Sequence, residues 1–339
     1  MARLLLIFIL QGFLISLVRA QSFQLEDLVT LSSLSPKKFD NYMHEKGYSS
    51  GVKTMQDDAM AFTFFEKKKK DEVDSIVEHR RVSLFKQEKD YCFAFYTTSL
   101  KEYHSGLNYL RANFFYGRNH DSSQSPLYQR KNMTVETSQS VEDSITTYSF
   151  LLKRKELPGN VNFAEDLLNF DSHELLAAFF GEQNVKKDVY YFSEKKLKKC
   201  SVLFGNSNRQ VVFVWEDEDN LCKLSYILIS GVLPTENGLP FNDNISRNKW
   251  TFKSGIYSGM SIRDLLDLNG RDFSFYGEDS EFSMMIEPEN TGNIDFKKTG
   301  IMLTSLDGSP GILRKAKVSA TAAIENHIAL HVFYIMLTP

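Results

Sequence analysis

Hydrophobic and polar positions along this chain follow two rhythms, one helical and one strictly alternating. Residues 258–285 carry both. Ile262, Leu265, Leu266 and Leu268 recur at helical spacing. Ser261 stands as the N-cap, Asp264 as its capping-box partner, and Met260 with Leu265 as a hydrophobic staple. Gly270 supplies the left-handed stop, and Phe273 and Phe275 then alternate with polar residues as the chain leaves in a strand. Residues 251–256 are expected as the strand that feeds this helix.

The first half reads as helix, strands, helix, strands. Ser35 and Pro36 open a helix whose inward positions are Phe39, Tyr42 and Met43, ended by Gly47. Residues 52–66, 75–85 and 91–96 are strand-like. The charge run at residues 67–72 between them marks a solvated hairpin tip, because like charges repel and stay in water. Ser99 caps a second helix with Glu102 as box partner. Its core stripe is Leu100, Tyr103, Leu107, Leu110 and Phe114, and Gly117 is its stop. Residues 129–137 and 144–153 close this part as a strand pair.

Residues 157–160 (LPGN) form the best linker. Beyond it, Asp171 is the expected cap of a helix carrying Leu175, Leu176, Phe179 and Phe180, stopped at Gly181. Strands are expected at residues 202–204, 211–215, 221–230, 273–276, 282–286, 300–304 and 329–337, with the acidic turn 216–220 (EDEDN) between two of them. The pattern predicts an α+β protein of two domains, each an antiparallel sheet with helices packed on one face. The boundaries are 1–20 for a signal peptide, 21–157 for an N-terminal domain and 161–339 for a C-terminal domain.

The first twenty residues alter the picture most. Arg3 precedes an apolar run from Leu4 to Val18, and Val18, Arg19 and Ala20 suit a cleavage after Ala20. The expectation is an exported protein of the periplasm or the outside of the cell, with no membrane span in the mature chain. A net charge of −3 with intermixed signs lacks the basic stripe of a nucleic-acid binder. Aromatics are plentiful, 27 Phe and 15 Tyr, which favours sheets over a helical bundle.

Candidate chemistry is sparse. Of the three cysteines, Cys200 and Cys222 flank residues 211–215 and are proposed as a disulfide, with Cys92 buried in its own strand. No cofactor motif stands out, neither a nucleophile elbow, a P-loop nor a dinucleotide fingerprint. His327 and His331 share a strand face if the strand is regular, yet no third metal ligand accompanies them. Asp217, Asp219 and Asn220 hint at a calcium loop without the rest of its pattern. Ser193 with Lys196 and Ser35 with Lys38 fit an SxxK spacing but lack companion motifs. Asn132 and Asn244 match the N-glycosylation pattern. Trp215 and Trp250 are placed in the core.

Two stretches carry a resemblance. Residues 200–231 (CSVLFGNSNRQVVFVWEDEDNLCKLSYILISG) and 255–277 (GIYSGMSIRDLLDLNGRDFSFYG) resemble secreted proteins of Bacteroidetes-type bacteria, a family without a defined function. In those proteins a strand pair precedes a Gly-Met-Ser/Thr helix that ends in Leu-Asn-Gly before an aromatic strand. They often continue with a Trp-Asp-Tyr-Gly-Gly-like run, where this chain has Gly277, Glu278, Asp279, Ser280 and Glu281. The helix between Gly259 and Gly270 is also similar, at fold level, to one in BamE-type assembly lipoproteins and in secreted β-lactamase-inhibitor proteins. The resemblance implies export and nothing catalytic. The expected function is a non-catalytic binding or scaffolding module of the cell envelope with a protein or other envelope partner. A secreted hydrolase with an unrecognised acid/His site, and a subunit of an envelope assembly complex, are the alternatives.

Overall fold

Buried side chains that share a rung set which face of each sheet meets its helices. The computed structural model describes residues 23–46, 48–50, 60–67, 77–87, 90–117, 126–155, 160–193, 196–230, 248–305 and 311–339. It is an α+β protein of antiparallel sheets that divides into two compact units, Met1–Glu156 and Leu157–Pro339.

The first unit contains helices α1 (Leu25–Leu31), α2 (Pro36–Glu45) and α3 (Leu100–Asn113). Its strands are β1 (Ser49–Ser50), β2 (Met60–Lys67), β3 (Val77–Gln87), β4 (Asp90–Thr97), β5 (Phe115–Gly117), β6 (Leu127–Arg130), β7 (Met133–Glu142) and β8 (Ile145–Arg154). They lie in the order β1-β2-β3-β4-β8-β7-β6-β5. Val82, Phe95 and Phe150 stand on one rung across β3, β4 and β8, all fully buried, so they fix which face meets the helices. Helix α1 was not anticipated from the pattern. It buries Leu25, Leu28 and Leu31, and Ser32 behind it accepts hydrogen bonds from Arg154 at 3.2 and 3.1 Å, tying the helix to β8.

Three expectations in this unit are corrected. Helix α3 ends at Asn113, and Gly117 belongs to β5. Glu102 does not complete a capping box; it pairs with Arg80 and accepts the Thr97 hydroxyl at 2.6 Å, below the sheet. The strand expected at 129–137 is two strands, β6 and β7, because Lys131 turns at a φ of 51°. Gly47 and residues 68–72 lie outside the described residues.

The second unit has helices α4 (His173–Phe180), α5 (Ile262–Asn269) and α6 (Ala320–Glu325). Its six-stranded sheet is formed by β9 (Val185–Ser193), β10 (Lys196–Leu203), β11 (Val211–Asp217), β12 (Cys222–Ser230), β14 (Thr299–Ser305) and β16 (Leu330–Leu337). The order is β14-β16-β12-β11-β10-β9, while β13 (Ser274–Tyr276) and β15 (Lys317–Ser319) make a separate pair. One face of the large sheet packs Phe213, Trp215, Ile227 and Ile335 against Leu176, Leu265 and Ala323 of the helices. Trp215 and Trp250 are both core residues. Helix α5 carries the expected Ser261 cap and the left-handed Gly270. Gly277 is required by crowding, since a Cβ there would stand 1.8 Å from the Lys315 carbonyl oxygen.

Here too the pattern is corrected. The α4 cap is Ser172, whose hydroxyl accepts from the Leu175 N–H, and not Asp171. Residues 251–256 form no strand, and 282–286 hold only isolated bridges. Strand β9 was not anticipated, because its lysines break the apolar alternation.

Candidate functional site

Tyr103, Leu107 and Arg111 follow one another at four-residue steps along α3, so they line one edge of the helix. Phe114 continues that edge just past the helix end. Tyr128 on β6 and Thr137 on β7 rise from the sheet opposite them, and Pro126 closes one end. Together they bound an open cleft of about 570 Å³. Its floor is apolar and fixed: Phe114, Tyr128 and Thr137 are all buried. Tyr103 is held by stacking on Tyr148, with ring centres 4.5 Å apart.

One guanidinium, that of Arg111, lines this cleft, and a second touches its Phe114 wall. Arg130 lies 5.9 Å over the Phe114 ring. Arg111, in the last turn of α3, is exposed and forms no ion pair with a described residue. A cation there also faces the negative end of the helix dipole. Among the described residues the lining has neither a carboxylate, a histidine nor a cysteine, and what it offers is recognition: a buried floor with positive charge at the mouth. A second hollow of about 260 Å³ lies on the opposite face of the same sheet, among Phe85, Ala94, Tyr96, Glu136, Ser138, Ser149 and Leu151. Glu136, the carboxylate among its described residues, is 3.5 Å from Lys153.

The residues singled out in the sequence do not converge. Cys92, Cys200 and Cys222 are all buried thiols outside any disulfide, so the expected Cys200–Cys222 disulfide is not made. Cys200 stands on the rung of Val214 and Cys222 on that of Asp217, with β11 between them. Two strand spacings and three rungs put their Cα atoms about 14 Å apart, about twice what a disulfide spans. Cys200 packs among Val202, Val212, Val214 and Leu228, with Tyr190, Tyr226 and Tyr334 around them. Burial pushes its thiol up to about 12 and the Tyr190 phenol up to about 12, so neither is a nucleophile near neutrality.

His327 sits in the turn after α6 with a φ of 55° and is exposed, whereas His331 lies on β16. The turn breaks the regular strand that would have given them a common face. Among the described residues no group of three His, Cys, Asp or Glu side chains could hold a metal ion. The Asp217 carboxylate accepts the N–H groups of Asp219 and Asn220, the Asn220 amide and the Cys222 thiol. Burial alone would raise its pKa, but these donors hold it below the ordinary carboxylate range. Glu218 and Asp219 bind Lys198 and Lys199 at 2.6 and 2.8 Å. The acidic turn is therefore docked on β10 by its own carboxylates. Ser193 and Lys196 face each other in register across a hairpin, and Ser35 is a helix cap that accepts from the Lys38 N–H. The Asn132 amide donates to the Lys155 carbonyl at 2.9 Å, and Asn244 lies outside the described residues.

One contact the sequence did not suggest looks catalytic at first sight. His173 Nδ1 is 2.9 Å from the Ser201 hydroxyl. The same hydroxyl accepts the Trp215 indole N–H at 2.9 Å, and Ser201 is fully buried. A serine sealed under Trp215 cannot meet a substrate; it joins α4 to the sheet. Spacing alone puts Tyr103, Leu107 and Phe114 in a core stripe, and the signal of an open edge is Arg111, a charge on that same stripe. The chain matches no model of a known protein family, and it has no match among curated proteins or among solved structures.

Proposed function

We propose that this chain is an exported binding or scaffolding protein of the cell envelope, whose first unit holds an apolar group bearing a negative charge. The observation that carries the binding reading is the α3 cleft, with the exposed Arg111 and the guanidinium of Arg130 beside an aromatic floor. Guanidinium forks suit carboxylates, and buried aromatic rings suit an aliphatic or aromatic tail. The leader pattern of the first twenty residues and the resemblance to secreted bacterial proteins support export.

Titration with phenylacetate and with decanoate, followed by calorimetry and by shifts of backbone amide resonances in α3 and β6, tests this. Saturable binding is expected, weakened at least about tenfold by Arg111→Glu, which is a loss of about 1.4 kcal/mol. Arg111 is exposed, so that variant leaves the core alone. No saturation with either carboxylate, or binding untouched by Arg111→Glu, defeats the reading. Export is tested separately by the mass of the chain recovered from the envelope fraction, expected to begin at Gln21.

A further inference from the structure

Strand β9 is the last strand of its sheet on one side among the described residues, and three of the exposed large apolar side chains described in the second unit lie on it or on its neighbour. Val189 and Tyr191 on β9 and Leu197 on β10 are 39%, 63% and 51% exposed. Leu197 stands opposite Tyr191, and Lys199 opposite Val189. These pairs share one face, so the three apolar side chains form one patch.

Backbone direction follows from two hydrogen bonds. The Val189 N–H is donated to the Asp188 carboxylate at 2.8 Å. The N–H of Lys199, its partner residue, is donated to the Glu218 carboxylate at 2.9 Å, on the β11 side. Val189 and Lys199 are thus a pair that exchanges no ladder bonds, and the N–H and C=O of Val189 point outward from the sheet. Alternation gives Lys187 and Tyr191 the same direction. Beyond Tyr191 a register shift interrupts the ladder.

We propose that two copies of this chain join edge to edge through β9, antiparallel about a two-fold axis at Val189, into one continuous sheet. In that register Val189 meets Val189 of the second copy, Lys187 meets Tyr191 and Asp188 meets Tyr190, each pair occurring twice. Ammonium over phenol ring and carboxylate beside phenol hydroxyl are both favourable cross-strand pairs. Neighbouring registers are worse. Centring on Lys187 or Asp188 sets like charges face to face, and centring on Tyr190 or Tyr191 runs the ladder into the bulge. Lys187, Val189 and Tyr191 of each copy supply the N–H and C=O groups, and the Val189 N–H exchanges its Asp188 cap for a carbonyl across the axis. The same junction sets second-copy side chains against Val189 and Tyr191, the outer members of the patch.

Sedimentation and light scattering on the full chain test it. A dimer is expected at concentrations of about 100 µM. Tyr191→Lys sets an ammonium opposite Lys187 of the second copy and is expected to weaken association at least about tenfold. Adding Lys187→Glu to Tyr191→Lys restores opposite charges and is expected to recover the dimer. Val189→Pro removes an outward N–H that β10 does not use, so it is expected to yield folded monomer. Circular dichroism checks that each variant keeps its sheet. A wild-type monomer at that concentration overturns the proposal. So does a dimer indifferent to Tyr191→Lys, or a loss that Lys187→Glu does not recover in the folded double variant.

Discussion

Gly106 offers the sharpest test of how the first unit is packed. It lies in the interior of α3, where glycine costs about 1 kcal/mol relative to alanine. On an exposed helix face, Gly106→Ala would return that amount. Here a Cβ at Gly106 would stand 2.5 Å from Cζ of Phe150 and 3.0 and 3.1 Å from its Cε atoms. Phe150 is fully buried, with Phe95 stacked 6.2 Å away and Tyr103 at 5.4 Å, so the ring has little room to retreat. Overpacking of this kind costs about 1–3 kcal/mol. Set against the helix-propensity gain, the expected net is a loss of about 1 kcal/mol. Phe150→Leu removes the ring, and in that background the alanine methyl fills space instead of contesting it. Gly106→Ala then turns stabilising, a coupling of about 2 kcal/mol between the two positions. Urea unfolding resolves the effect by unit. Both tryptophans, Trp215 and Trp250, belong to the second unit, so tryptophan fluorescence reports that unit and far-ultraviolet circular dichroism reports both. The shift should appear in circular dichroism and leave the tryptophan transition unmoved. Stabilisation of the wild-type background by about 1 kcal/mol, with no coupling to Phe150, would refute the packing argument.

Two further outcomes concern the second unit. Ser201→Ala leaves the fully buried Trp215 indole without its acceptor and removes the His173 contact, so the tryptophan-detected urea transition should lose about 2 kcal/mol; an unchanged midpoint would count against it. Acid should destabilise this unit as well. Donors to the Asp217 carboxylate hold its pKa low, as a hydrogen bond from Lys317 does for Glu287. A carboxylate whose pKa is depressed in the folded state contributes stability above its unfolded value and loses it as pH falls through the folded one. Melting temperatures should therefore drop below about pH 4, and Asp217→Asn should flatten that slope; identical pH profiles for the two proteins would remove Asp217 from the account.

Local signals were legible wherever a side chain bonds its own neighbourhood. Ser35, Ser99 and Ser261 cap helices as their spacing indicates, each accepting the N–H three residues on. Gly270 ends α5 in the left-handed region, where the missing Cβ matters. The same logic misled at Glu102, which leaves the N-cap for Arg80 on a distant strand. It also misled at Asp171, where the adjacent Ser172 is better placed to cap. In β9, alternation was masked by Lys186, Lys187 and Asp188, because an edge strand keeps charges in water and shows no inward-outward contrast. The cleft was invisible for a related reason. Tyr103, Leu107 and Phe114 form a helical apolar stripe whether a sheet covers them or stops short.

Sequence alone therefore determined the α+β class, the caps at Ser35, Ser99 and Ser261, the stops at Gly181 and Gly270, and the burial of Trp215 and Trp250, since each depends on composition or on contacts a few residues long. Strand order, the distance that keeps Cys200 from Cys222, the half-open edge of α3 and the outward N–H of Val189 were decided only by tertiary structure. Those properties depend on which strands become neighbours, and residues far apart in the chain set that together.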